Sequence, residues 1–172
     1  IDMTTTDTAY RTNLVSLTIP DGMDYEDAIM KDYSSGEIST EESTELMKAV
    51  QMALGTEFLQ FFPGRSYRHC LIWENGPLDI ELTPPHDITG KPVKDHLPKG
   101  EQADFILSMM KKSYEVLKDH PVNVKRRELG LNTADSIWLW GQGTKPATPD
   151  FSKTYGFDGA VISAVDLLFG LG

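Results

Sequence analysis

The residue order predicts an α+β domain, with a mainly antiparallel or mixed sheet and helices packed on one face. Three observations predict it. Short β-branched and aromatic runs are interspersed with two long segments of helical period. Turn signals such as Pro20-Asp21-Gly22 and Asn75-Gly76 close the short runs. Each long helical segment is amphipathic, which gives it one buried and one wet side against a sheet.

Arg11 to Ile19 runs into β-branched and apolar residues and reads as a strand, after a polar, Thr-rich lead-in from Ile1 to Thr8. Met23 to Ser35 is acidic, with Tyr25, Ile29 and Tyr33 as scattered apolar anchors, and reads as loop or irregular hairpin. Ser39 followed by Glu42 has capping-box spacing, and Leu46, Met47, Val50, Ala53 and Leu54 recur behind it at helical intervals until Gly55. Glu57 to Phe62 and Tyr67 to Trp73 are strands divided by Pro63-Gly64-Arg65-Ser66. Asn75-Gly76 predicts a hairpin into a further strand, Leu78 to Thr83.

Pro84 to Pro98 holds four prolines, two histidines and Gly90 in a long loop of the kind that carries function. Glu101 to Lys118 is the second helix, striped by Ala103, Ile106, Leu107, Met110, Tyr114 and Leu117, with lysines towards its negative end. Pro121 ends it, and Val122 to Leu129 forms a short helix closed by Gly130. Ile137 to Trp140 is a strand running into Gly141-Gln142-Gly143, and Gly159 to Ile162 leads into a last helix over Ala164 to Gly172. The Thr-rich start and the last helix, which stops without a polar finish, suggest a single domain over 1–172 that is a piece of something larger.

The chain has 172 residues, 40% hydrophobic and 24% charged, ample for a packed core. Its formal charge of −10 argues against nucleic acid or anionic membrane as general partners. An anionic ligand then needs a few well-placed Arg, Lys or backbone N–H groups. The single cysteine, Cys70, excludes an internal disulfide and a Cys-based zinc cluster, and its apolar neighbours suggest a buried, inert thiol. No run approaches the roughly 20 apolar residues of a membrane span, and no secretory signal is visible, so a cytoplasmic location is expected.

Five constellations could carry chemistry. Arg11-Thr12-Asn13 offers an Arg fork and an amide for a carboxylate or phosphate, or simply a surface ion pair. In Ser66-Tyr67-Arg68-His69, strand alternation sets Arg68 on the face of Cys70, which is costly for a guanidinium without a partner. Pro84-Pro85-His86-Asp87-Ile88-Thr89-Gly90-Lys91-Pro92 offers a base, an acid, a hydroxyl and a cation on a backbone stiffened by proline; alternatively Asp87 caps a rigid surface turn. Trp138 to Pro146 places glycines at a strand end but lacks the spacing of a Walker or dinucleotide loop. Lys125-Arg126-Arg127 reads as a solvated helix face, or as one positive rim. No nucleophile elbow, Ser/His/Asp order or His-x-x-x-His is present. The residues alone describe a binding or capping module.

Taken in order, these segments resemble a known family. Arg11-Thr12-Asn13-Leu14-Val15, Ser35-Gly36-Glu37-Ile38-Ser39-Thr40-Glu41-Glu42, Phe62-Pro63-Gly64, Ser66-Tyr67-Arg68-His69 and the Pro84 to Pro92 loop are similar to the middle of archaeal-type 2,3-bisphosphoglycerate-independent phosphoglycerate mutases. Leu97-Pro98-Lys99-Gly100, His120-Pro121-Val122-Asn123, Ile137 to Gly143 and Gly159 to Asp166 extend the likeness from about Ala9 to Gly172. The resemblance implies an inserted cap domain of an alkaline-phosphatase-superfamily enzyme that interconverts 3-phosphoglycerate and 2-phosphoglycerate in glycolysis and gluconeogenesis. It implies a core domain with two divalent metals, manganese or zinc, and a serine nucleophile. The core ligands and the serine do not occur here, so the chain alone is expected to be inactive, with phosphoglycerate and that core as its partners. It also implies Arg11, Arg68, His86, Asp87 and Lys91 as contacts to substrate or core, with Gln142 behind them. The alternatives are a cap for another phosphomonoester, or a stand-alone sensor of a small anionic metabolite.

Overall fold

The computed structural model describes residues 3–147 and 149–160. Seven strands and four α-helices follow one another among them: β1 (Asp7–Thr18), β2 (Ile29–Asp32), α1 (Thr40–Leu54), β3 (Leu59–Phe62), β4 (Arg68–Glu74), β5 (Ile80–Glu81), β6 (Lys99–Gly100), α2 (Ala103–Leu117), α3 (Pro121–Glu128), β7 (Ser136–Thr144) and α4 (Phe151–Tyr155). The main sheet runs β2-β1-β4-β3 with β7 paired to β1, and every pairing is antiparallel. The α+β architecture expected from the sequence is present.

β1 organises the sheet because it is long enough to pair with three strands. Its alternation sets Tyr10, Thr12 and Leu14, all fully buried, on one face. Across the ladders they meet Leu71, His69 and Ile137. Leu46, Met47 and Val50 of α1 and Ile106, Met110 and Leu117 of α2 join them in one core. Burial of each such side chain contributes about 1.5–3 kcal/mol. Trp73, further along the same face, lies 5.3 Å from the Phe105 ring of α2. The helices therefore cover this face.

α1 starts as its capping box predicts, with Ser39 Oγ accepting from the Glu42 amide at 3.2 Å. Pro121 does more than end α2, since it is the first residue of α3, where its missing N–H is harmless.

Several expectations differ from the structure. β1 begins at Asp7, inside the supposed lead-in, because its first residues pair with the end of β4. The acidic segment after Gly22 contains β2, held on β1 and, through Met30 N to Lys91 O at 3.0 Å, on the proline-rich loop. Asn75-Gly76 makes no hairpin to the next strand. Asn75 N donates to Thr6 O at 3.0 Å, and β5 shrinks to two residues paired with β6 in a separate ribbon. β7 passes through its glycines as far as Thr144. The strand and helix expected over Gly159 to Gly172 lie, from residue 161 on, outside the described residues.

Candidate functional site

The face of the sheet away from the helices gathers the residues of interest. On β1 it carries Arg11 and Asn13. Register places Cys70 of β4 and Trp140 of β7 opposite Arg11, and Arg68 of β4 and Trp138 of β7 opposite Asn13. Side chains of directly opposed residues project to the same side, so Arg11 and Arg68 are diagonal neighbours, their backbones about 7–8 Å apart. Both arginines are exposed residues.

The loop after β5 closes one end of this face. The Trp138 indole N–H donates to Thr83 O at 2.8 Å, and residues 85–88 form a 3-10 turn anchored by buried Pro85 and Ile88. Gly90 N donates to Met30 O at 2.7 Å and Val93 N to Ala28 O at 2.8 Å. Stiffness expected from proline alone is thus reinforced by pairing with the β2 segment.

These connections bring His86 against the sheet and create a continuous aromatic wall. The Arg11 guanidinium carbon lies 4.7 Å from the Trp140 ring centroid. Trp140 meets the His86 ring edge-on at 5.3 Å, His86 meets Tyr33 at 6.2 Å, and Tyr33 meets Tyr67 at 5.7 Å. Arg68 then lies 4.2 Å above Tyr67. Two cations therefore stand at the ends of a row of four rings. Neither has a carboxylate in ion-pair range among the described residues, although the chain is acidic. Stacking engages the flat side of a guanidinium and leaves its in-plane N–H groups free for an anion. The partner that Arg68 needed is this ring.

The other expected site residues stand at varying distance from the wall. Asp87 Oδ1 is 3.5 Å from His86 Nε2, and both side chains are largely exposed. Lys91 Nζ donates to the Asp87 carbonyl at 3.0 Å, on the same turn. Gln142 gives its amide to the carbonyls of Ile80 at 2.6 Å and Leu78 at 3.2 Å, and so ties β5 to β7. Asn13 is buried, and its amide is spent inside the protein. Cys70 lies beside the two arginines and is half-buried, less than the full burial expected, and burial pushes its thiol above the usual range.

Gly141 shapes the Arg11 seat. Gly141 and Gln142 together oppose Tyr10, a bulge that puts Gly141 at φ +60°. A Cβ there would lie 3.2 Å from Arg11 Cδ. Gly141 therefore makes room for the Arg11 side chain.

The basic triplet on α3 divides. Lys125 and Arg127 are exposed, but Arg126 is buried and is no solvated rim. It donates to Asn132 O at 2.7 Å and Ser35 O at 2.8 Å and pairs with Glu42. Its role is to hold the segment after Tyr33, where Ser35, Gly36 and Glu37 all have positive φ. Asp32 accepts from Ser34 N and Oγ, Gly36 N and Asn132 Nδ2. Burial raises its pKa, but these hydrogen bonds outweigh that and leave it below the ordinary value.

Tyr33, Tyr67 and Trp140 do not stand out as a wall in the sequence. Their partners are remote in the chain, and only the adjacency of Tyr67 to Arg68 was a local sign. Among the described residues no group of three or more His, Cys, Asp or Glu could hold a metal ion, and no helix is long and apolar enough to cross a membrane.

A family model described as 2,3-bisphosphoglycerate-independent phosphoglycerate mutase matches residues 1–123. The chain is 45% identical over 172 residues to a "probable 2,3-bisphosphoglycerate-independent phosphoglycerate mutase" of Geobacter sulfurreducens, covering 100% of the chain and 42% of that protein. It is 49% identical over 167 residues to the 2,3-bisphosphoglycerate-independent phosphoglycerate mutase of Methanosarcina barkeri, covering 96% of the chain and 40% of the relative. It therefore spans about two-fifths of the length of these curated relatives. In fold it is similar to a solved cofactor-independent phosphoglycerate mutase from Thermoplasma acidophilum, with a TM-score of 0.66 at 21% identity, over 99% of the chain and 46% of that structure.

Proposed function

Because the chain belongs to the 2,3-bisphosphoglycerate-independent phosphoglycerate mutase family, we propose that it is the substrate-positioning cap of a longer enzyme interconverting 3-phosphoglycerate and 2-phosphoglycerate. One observation carries the reading. Two exposed arginines stand on adjacent strands, each stacked on a ring and lacking a carboxylate partner among the described residues, in a chain of net charge −10.

Arg11 and Arg68 grip the anionic ends of a phosphorylated glycerate and neutralise its charge while it re-orients. His86, Asp87 and Lys91 line the rim and contact substrate or the rest of the enzyme; Gln142 borders them and supports β5. Rings along the floor exclude water when the cap closes, which favours return of the phosphoryl group to glycerate over its loss by hydrolysis.

The nucleophile and two divalent metals, manganese or zinc, belong to the remainder of the enzyme. Among the described residues no group of three or more His, Cys, Asp or Glu could hold such metals. In this reading the chain's own contribution is binding and orientation, and alone it is expected to be inactive. A cytoplasmic location accords with a glycolytic role.

The test is Arg68→Ala in the full-length enzyme, with 2-phosphoglycerate formation followed by coupling to enolase. Turnover is expected to fall on the order of 100-fold. Undiminished turnover overturns the assignment. A panel of other phosphate esters, turned over as fast as phosphoglycerate, would move the reading to a different phosphomonoester.

A further inference from the structure

Asn13 lies on the same side of β1 as Arg11 and directly opposite Arg68 in the register, yet only 4% of it is exposed. A buried amide has four hydrogen-bonding positions to satisfy, and what it bonds reveals what it does. Its Oδ1 accepts from the Trp140 indole N–H at 2.9 Å, and its Nδ2 donates to the Tyr33 carbonyl at 3.0 Å. Tyr33 is 20 residues away and Trp140 is 127.

Trp140 is the ring under Arg11, and Tyr33 is the ring between His86 and Tyr67. His86 stands between those two rings. The Asn13 amide therefore joins the strand side of the wall, Trp140 on β7, to the loop side, Tyr33 after β2. Among the described residues no other side chain hydrogen-bonds both Trp140 and Tyr33.

We infer that Asn13 is a positioning residue, a clamp that fixes Trp140 and Tyr33 and through them the Arg11 guanidinium and the His86 ring. It does not touch the ligand. The inference rests on the reading of this face as the substrate-gripping surface. An aspartate could not replace the asparagine: its carboxylate would keep the bond from the Trp140 indole but face the Tyr33 carbonyl with no donor. It would also set a negative charge between Arg11 and Arg68, against an anionic substrate.

The experiment uses the full-length protein and two readouts. Hydrogen exchange of the Trp138 and Trp140 indole N–H groups is followed by NMR, with Trp138→Phe and Trp140→Phe assigning their signals. Steady-state turnover of 3-phosphoglycerate gives kcat and KM separately. In Asn13→Ala the Trp140 indole N–H is expected to exchange at least ten-fold faster. The Trp138 indole N–H, bonded to Thr83, keeps its protection. KM is expected to rise and kcat/KM to fall at least ten-fold.

Asn13→Asp is expected to keep Trp140 protection but lose kcat/KM to a similar extent. It keeps the question open to refutation should the alanine variant fold poorly. Unchanged Trp140 exchange in Asn13→Ala overturns the clamp whatever the activity does. Faster Trp140 exchange with unchanged kcat/KM overturns its role in positioning. If Arg11→Ala and Arg68→Ala lose turnover while both Asn13 variants keep it, the reading of the face stands and this inference falls. If all four keep it, the reading of the face falls first.

Discussion

His69 is 6% exposed on the helix side of β4, and its Nδ1 accepts from the Gly64 amide at 3.0 Å. Its Nε2 has no hydrogen-bond partner among the described residues. An imidazole so placed is neutral, and burial lowers its pKa from 6.5 to about 4. Above the unfolded value both states are uncharged and stability is complete. As pH falls below 6.5 the unfolded chain takes up a proton that the folded chain refuses, so stability is lost until the folded group titrates near 4. At 1.36 kcal/mol per unit the loss is about 2 kcal/mol at pH 5 and about 3 kcal/mol by pH 4. The perturbation is His69→Asn, which keeps an acceptor near Gly64 and removes the titration. Urea denaturation of both proteins across pH 4–7.5 gives the difference curve. Subtracting the variant cancels Glu26 and Asp32, which pull the same way at lower pH, and Asp135, whose raised pKa pulls the other way. Parallel curves over that range, or an NMR titration giving His69 a pKa near 6.5, refute the reasoning.

Three substitutions test the supports of the site. Arg126→Met strands Ser35 O, Asn132 O and Glu42 in or near the interior and should cost about 3–5 kcal/mol by denaturant melt, whereas Lys125→Ala and Arg127→Ala should stay within about 0.5 kcal/mol. Gly141→Ala meets both a positive φ and the Arg11 stem; about 1–2 kcal/mol of stability is expected to go, with a raised KM for 3-phosphoglycerate in the full-length enzyme. Ser39→Ala removes the acceptor for the Glu42 amide and should cost about 1 kcal/mol, read as a Tm lowered by about 2–4 °C.

What the sequence revealed of the fold follows the range of the interactions involved. Both long helices were legible because their signals are local: Ser39 three residues before Glu42, and apolar stripes that repeat within each turn. β2 was not, because its backbone bonds go to β1 and to residues near Lys91, and nothing in Ile29-Met30-Lys31-Asp32 announces those partners. Asn75-Gly76 misled for a similar reason. The turn is real, with Asn75 at φ +56°, but β4 was already paired by β1 and β3, leaving no edge for the next strand. In the site, Arg11, Arg68 and His86 stood out by residue type and by family resemblance. The rings that seat them did not, since Tyr33 and Trp140 reach them only through contacts between distant segments. Arg126 shows the converse: a basic triplet on a short helix looks solvated until tertiary contacts bury its middle member.

Whether the face bounded by Arg11 and Arg68 grips a phosphorylated glycerate can be read by titrating 3-phosphoglycerate into isotope-labelled full-length enzyme. The signals to follow are the Nε–H of Arg11 and Arg68 and the indole N–H of Trp140. These three are expected to shift together along one binding curve, while Arg126 Nε–H, locked on Asn132, stays in place. Saturation of the enzyme with all three signals unmoved would contradict such a grip.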